Sequence, residues 1–322
     1  MDVIGKNPLM KTSLIIPTLN RPETLRETLE SYFAGYLIPD QIIIIDQTPD
    51  KTLRSNIRKI LDNFSAITKI DYLFQAEPSS TKARNLGIKN AENEIIIFSD
   101  DDVTIQKDTI KNVAEIMADP SVAMIAGINS RDEISRSKIG FIFGKKSYKN
   151  RYIGHVTKSM FGRFPDKKVT GNVKTQWAMG FFFVVRKSLL EKSGLLFDEN
   201  LTTYAYAEDL DFTYSYYKYV DPEGFKCILS DKVVVEHRHS NEHRIPPKKY
   251  TMMYVINREY LSYKHNKSML SRVSTRWCNF GDFLIRLVRK QKPFDLLHAQ
   301  IVCDKHRKEL KQGILCKTWY EE

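Results

Sequence analysis

An open α/β sheet flanked by helices, with a helical C-terminal extension, is the fold class this sequence predicts. Three observations predict it. Short β-rich runs alternate with helical stretches through the first 130 residues, as in a largely parallel, open α/β sheet. Four of the five runs lack polar alternation, as strands do when helices cover both sheet faces. Beyond Pro246-Pro247 the chain turns helical in pattern and basic in charge.

Taken in order, the strand signals are Ser13–Ile16, Gln41–Ile45, Ile70–Phe74, Glu94–Phe98 and Val122–Ala126. The first helix opens on Pro22 and Glu23, with Leu25 and Leu29 at i, i+4 spacing. Further helices are expected over Lys51–Leu61, Thr81–Lys89 and Gln106–Met117. A basic, glycine-punctuated stretch, Arg131–Lys174, has poor periodicity and reads as a long excursion over the site. A strand at Trp177–Val185, a short helix from Lys187, a helix from Ala205 to Tyr219 and two strands, Phe225–Leu229 and Lys232–Glu236, follow. These shifts divide the chain into residues 1–130, 131–247 and 248–322.

With 322 residues, 42% of them hydrophobic, the chain can bury a core without staples. The first ten residues lack the apolar core of a signal peptide, and no run approaches the roughly 20 apolar residues of a spanning helix. Four cysteines without a CxxC pair read as reduced cytosolic thiols. The expected setting is cytoplasmic, soluble or peripheral at the inner face of a membrane. The formal charge of +11 points to a polyanionic partner but is unevenly spread. Arg131–Lys174 and residues 248–322 each carry +9, which leaves −7 on the remainder. An acidic body bears two basic segments.

Open α/β sheets bind ligands beyond the carboxyl ends of their strands. There this sequence puts Pro17-Thr18-Leu19-Asn20-Arg21, Asp46-Gln47-Thr48 and Ser99-Asp100-Asp101-Asp102, with Lys82-Ala83-Arg84 at a helix start. Three adjacent carboxylates repel unless a cation or strong donors hold them. An Asp-x-Asp pair projects Asp100 and Asp102 to one side of an extended chain, which suits Mg²⁺ or Mn²⁺; a solvated acidic turn is the plain alternative. Lys82 and Arg84 suit phosphate or a nucleobase carbonyl, or form an ordinary basic turn. Glu208-Asp209 lies in an aromatic-rich stretch, where apolar surroundings raise a carboxyl's pKa and fit it as a general base; an ordinary acid on a helix surface is the plain alternative. His237 and His239 follow the last strand, where a histidine can ligate the same cation or serve the core.

From Thr12 to His239 the sequence resembles the family 2 glycosyltransferases, which have the GT-A fold. The matching features are Ile16-Pro17-Thr18-Leu19-Asn20-Arg21, Ile45-Asp46, Lys82-Ala83-Arg84-Asn85-Leu86-Gly87-Ile88, Phe98-Ser99-Asp100-Asp101-Asp102, Trp177-Ala178-Met179-Gly180 with Phe197-Asp198-Glu199, and Ala207-Glu208-Asp209. The resemblance implies an inverting, metal-dependent transfer of a sugar from a nucleotide-diphosphate donor to a saccharide or lipid-linked saccharide. Thr18 and Asp46 would contact the nucleoside, Arg84 the base or diphosphate, and Asp100 the ribose or diphosphate. Pro17, Asn20, Arg21, Lys82 and Asp101 complete the implied donor set. Asp102 would bind Mn²⁺ or Mg²⁺, with His237 as a further ligand. Asp209 would be the base, and Trp177, Met179, Gly180 and Glu208 would line the acceptor side.

Phe280, Phe283, Leu284, Leu287 and Val288 predict an amphipathic helix among Arg286, Arg289, Lys290 and Lys292. One reading lays it on an anionic membrane; another packs it on the catalytic domain with a solvated basic face. The charge alone would also fit a nucleic-acid-binding protein, but no binding module or base-reading aromatic cluster accompanies it, so no nucleic acid is expected. A non-catalytic scaffold of the same fold would not need the full set of acids.

Overall fold

The computed structural model describes residues 10–133, 138–202, 205–238, 245–265 and 268–322. The first half runs β1 (Thr12–Thr18), α1 (Pro22–Phe33), β2 (Gln41–Asp46), α2 (Lys51–Asp62), β3 (Lys69–Phe74), α3 (Ser80–Asn90), β4 (Ile95–Ser99), β5 (Val103–Ile105), α4 (Thr109–Met117) and β6 (Val122–Asn129). The basic excursion holds α5 (Ile139–Ile142), β7 (His155–Val156), β8 (Gly162–Arg163) and β9 (Asn172–Lys174). Then come β10 (Phe182–Arg186), α6 (Lys187–Ser193), α7 (Glu208–Val220) and β11 (Lys226–His237). The extension comprises α8 (Pro247–His265), α9 (Met269–Val288), α10 (Phe294–Lys305) and α11 (Arg307–Lys311).

One mixed sheet organises the molecule, in the order β3-β2-β1-β4-β10-β6-β11-β5, with β9 also paired to β11. The pairs β1–β2, β2–β3, β1–β4 and β6–β11 are parallel. β10 enters antiparallel between β4 and β6, and β5 and β9 pair antiparallel with β11. Apolar runs without alternation do bury both faces. Leu14, Ile16, Ile42, Ile44 and Ile97 join one core, while their neighbours Ile15, Ile43, Ile45, Ile96 and Phe98 join the other. A third core gathers Trp177, Leu201 and Leu210 with Met252, Leu261, Val302 and Trp319, so the C-terminal extension is packed on the sheet domain.

Three expectations need correction. The strand expected from Trp177 begins only at Phe182, because Trp177–Phe181 is a buried irregular turn that an apolar run cannot distinguish from a strand. The two strands expected around Ser230-Asp231 are one strand, β11. Its polar middle is an irregularity in the pairing with β6, where Ser230 pairs with Asn172 and Asp231 Oδ2 accepts from the Gly171 amide at 2.7 Å. Finally, α9 does pack on its neighbours, but by the opposite side. It buries Ser271, Thr275, Cys278, Asn279, Gly281 and Asp282, and leaves Phe280, Leu287 and Val288 exposed.

Candidate active site

Antiparallel insertion of β10 beside β4 sets the site. It carries Met179-Gly180-Phe181 to the carboxyl end of β4, and the Asp100 amide donates to the Phe181 carbonyl at 3.0 Å. β11 closes the other side, because its last residue, His237, pairs with Val103 at the start of β5. The acidic triplet between β4 and β5 is thus enclosed by segments more than 70 residues away.

The three aspartates do different things. Asp101 turns inward: Thr18 Oγ1 donates to it at 2.7 Å, Arg21 Nη1 at 3.2 Å, and Thr28 Oγ1 donates to its carbonyl at 2.6 Å. Burial pushes its carboxyl up to about 6, against the pull of Arg21 and Thr18. Asp100 and Asp102 face His237, whose Nε2 lies 3.0 Å from Asp102 Oδ1 and 4.0 Å from Asp100 Oδ2. Burial alone would lower the imidazole pKa, but the hydrogen bond it donates to Asp102 and the two carboxylate charges raise it overall. Ligand atoms of Asp100, Asp102 and His237 lie within 4.8 Å of one another. Two carboxylate oxygens and one imidazole nitrogen suit a divalent cation such as Mn²⁺, whereas Mg²⁺ favours oxygen alone. These residues fit such an ion. His239 lies outside the described residues.

Arg84 joins this cluster to the other acidic pair. It projects from the buried side of α3 and donates through Nη2 to Asp100 Oδ1 at 2.8 Å and to the Gly180 carbonyl at 3.1 Å. Its Nη1 pairs with Glu208. The Gly180 amide in turn donates to Asp209 Oδ2 at 2.7 Å, and the Leu210 amide donates to Oδ1 at 2.7 Å. A Cβ at Gly180 would sit 3.2 Å from both Arg84 Nη2 and Asp209 Cβ, so a side chain there would press on this linkage. Burial raises both Glu208 and Asp209, and Arg84 opposes it in both. Glu208 and Asp209 open α7, where the helix dipole favours negative charge.

Arg84, the three aspartates, Gly180, Glu208, Asp209 and His237 line one cleft of about 1230 Å³, together with Pro17, Gln47, Ser79, Tyr206 and Tyr250. A drug-sized ligand needs roughly 300–1,000 Å³, so there is room for two substrates. Several expected residues lie elsewhere. Asp46 is fully buried, its carboxylate accepting from the Thr48 amide at 2.8 Å and from Tyr72 Oη at 2.6 Å. Lys82 points away from the lining and pairs with Glu77 at 2.9 Å. Asn20, in a left-handed conformation, supports the loop through its amide and Thr48 Oγ1. Trp177 is in the third core, its Nε1 donating to the Arg163 carbonyl at 3.0 Å. Conversely, Gln47 lies at a strand end and could have been included. Arg286, Lys292 and Asp295, from the C-terminal extension, also line the cleft without any local motif to mark them.

A sequence model of glycosyl transferase family 2 matches residues 13–194, more than half of the chain. The poly(ribitol-phosphate) beta-N-acetylglucosaminyltransferase TarS of Staphylococcus aureus (strain Mu50) is 24% identical over 306 residues, which cover 88% of this chain and 48% of that protein. The chain thus spans about half the length of that relative. Among solved structures, the mannosyltransferase PcManGT from Pyrobaculum calidifontis in complex with GDP-Man and Mn²⁺ aligns with a TM-score of 0.56 at 14% identity, covering 98% of this chain and 89% of that one. Residues 1–349 of S. aureus TarS in complex with UDP align with a TM-score of 0.52 at 17% identity, covering 97% and 90%. These likenesses identify the fold as GT-A.

Proposed function

The chain belongs to glycosyl transferase family 2 and is a glycosyltransferase; from that premise we propose that it moves a sugar, with inversion, from a nucleotide-diphosphate donor to a saccharide or lipid-linked saccharide acceptor. One observation carries the reading: a continuous hydrogen-bonded chain, Asp100–Arg84–Gly180–Asp209, joins the cation-competent cluster to a half-buried carboxylate in a single cleft. The relatives' nucleotides, GDP-Man and UDP, support the donor class.

In this reading the nucleoside lies along Pro17, Thr18, Arg21 and Gln47. Asp100, Asp102 and His237 would hold a divalent cation, which when bound offsets the charge developing on a diphosphate leaving group. Asp209 takes the proton from the acceptor hydroxyl. The freed oxygen forms its bond to the anomeric carbon as the bond to the diphosphate oxygen breaks on the opposite side. Two backbone amides fix the Asp209 carboxylate, and its raised pKa makes it a better base than an exposed carboxylate. Glu208 and Arg84 keep the Gly180 turn in place. Met179, Gly180, Tyr206 and Tyr250 would face the acceptor, and Arg286 and Lys292 add cations to the lining of the same cleft.

The test is a panel of UDP-, GDP- and dTDP-sugars with Mn²⁺ or Mg²⁺, read by calorimetric donor binding and by product formation. Asp102→Ala should abolish metal-dependent binding of the preferred donor. Should Asp102→Ala bind and turn over donor like the unaltered protein, the assigned cleft is wrong.

A further inference from the structure

Helix α9 is built the wrong way round for a helix that meets water on its outer side. Met269, Val273, Trp277, Phe280, Leu287 and Val288 recur at helical spacing on one stripe and are all exposed, Met269 and Val288 by 73% and 83%. The side turned to the protein is the small and polar one. Twenty residues make this stripe about 30 Å long. It is widened by two neighbouring helices. Trp277 Nε1 donates to the Ile142 carbonyl, which places α5, with Ile139 and Ile142 exposed, alongside it. Phe283 stacks edge-on against Phe294, which continues into the exposed Leu297 and Ile301 of α10.

Charge identifies what such a face would meet. Between Met269 and Lys292 six Lys and Arg stand against one acid, Asp282, and that acid is buried against Tyr254 and Lys145. Arg289, Lys290 and Lys292 cluster at the exposed end of the stripe, in the turn to α10. A second copy of the chain would set two faces of net positive charge against each other. An apolar stripe with Trp and Phe, rimmed by cations, matches a helix lying in the headgroup plane of an anionic bilayer. No helix among the described residues is long and apolar enough to cross a membrane.

We propose that α9, with the adjoining faces of α5 and α10, docks this protein on an anionic lipid surface and thereby sets the acceptor side of the cleft at headgroup level. The second part follows from continuity. Arg286 of α9 and Gln291, Lys292 and Asp295 of the α9–α10 turn and the start of α10 line the cleft. Only this second part rests on the transferase reading above; docking does not.

The test uses the full chain with vesicles of phosphatidylcholine alone or mixed with phosphatidylglycerol, followed by co-sedimentation and tryptophan emission. Trp277 is half exposed while Trp177 and Trp319 are buried, so a blue shift on binding reports Trp277. The protein should sediment with the anionic vesicles and bind neutral ones about tenfold more weakly or less. Phe280→Glu with Val288→Glu should weaken binding by about tenfold or more and cancel the blue shift, with melting temperature and donor turnover unchanged. Arg289→Gln with Lys290→Gln should weaken only anionic binding. Equal sedimentation with both vesicle types, or undiminished binding by the double Glu variant, overturns the proposal. So does a dimer in light scattering that the double Glu variant dissolves while vesicles capture neither form. Vesicle binding in a protein that turns over no nucleotide sugar would uphold docking and reject the transferase reading.

Discussion

Burial lifts the Asp209 carboxyl above the ordinary carboxylate range, while the amides of Gly180 and Leu210 draw it back down. A base works only when deprotonated, so turnover should rise with pH through this raised pKa. The acid limb of kcat/KM should therefore lie above the usual carboxylate pKa of about 3.9. Asp209→Asn should cut kcat by about 10²–10⁴ and remove that limb, yet leave calorimetric donor binding intact. A variant with normal turnover would exclude Asp209 as the base. The carboxylate pair at 208–209 was legible, since it stands before an aromatic-rich helix. What each of the two touches was not: Glu208 is tied to Arg84, and that pairing links residues 124 apart.

Among the elements, α3 shows how far local pattern reaches. Helical geometry puts Thr81, Arg84, Gly87 and Ile88 on the buried side and turns Lys82 out, so the two cations read together from sequence serve different purposes. Gly87 allows α3 to approach β1, since a Cβ there would lie 2.4 Å from Ile15 Cγ2. Ile15 is fully enclosed and β-branched, and can give little. Gly87→Ala should gain about 1 kcal/mol of helix propensity but lose about 1–3 kcal/mol to overpacking. Sterics win, and a lower midpoint in thermal or urea unfolding is the expected outcome; a higher one would mean that the helix moves freely on the sheet. The strand–helix alternation was readable because both periodicities are local. The turn at 177–181 and the bulge in β11 were not, because burial hides irregular backbone under apolar residues and pairing with β9 and β6 carries the chain across polar ones.

At the scale of the molecule, the basic C-terminal extension is held by more than contact. Arg258 of α8 is fully buried, donating to the Ser159 carbonyl through Nε at 3.0 Å and Nη2 at 2.8 Å, and to Asn279 Oδ1 at 2.8 Å. It thereby ties the excursion, α8 and α9 together, while the third core extends from Trp177 and Leu210 to Trp319. Ending the chain after residue 247 would uncover that core, and the truncated protein should aggregate or lose its cooperative melting transition. A soluble, cooperatively melting fragment would show that the sheet domain is self-sufficient.

The sequence by itself determined the α/β class, the order of the acidic and basic segments and the strand ends at which chemistry collects, because each follows from periodicity or from position next to an apolar run. Only the tertiary structure decided which groups meet. It turned Asp101 toward Thr18 and Arg21, drew Asp100 and Asp102 to His237, withdrew Asp46 and Trp177 from the cleft, and faced the apolar stripe of α9 outward. The physical reason is that those meetings depend on β10 entering antiparallel beside β4 and on β11 pairing with β5. Both pairings join segments far apart in the chain, and no local spacing of residues encodes them.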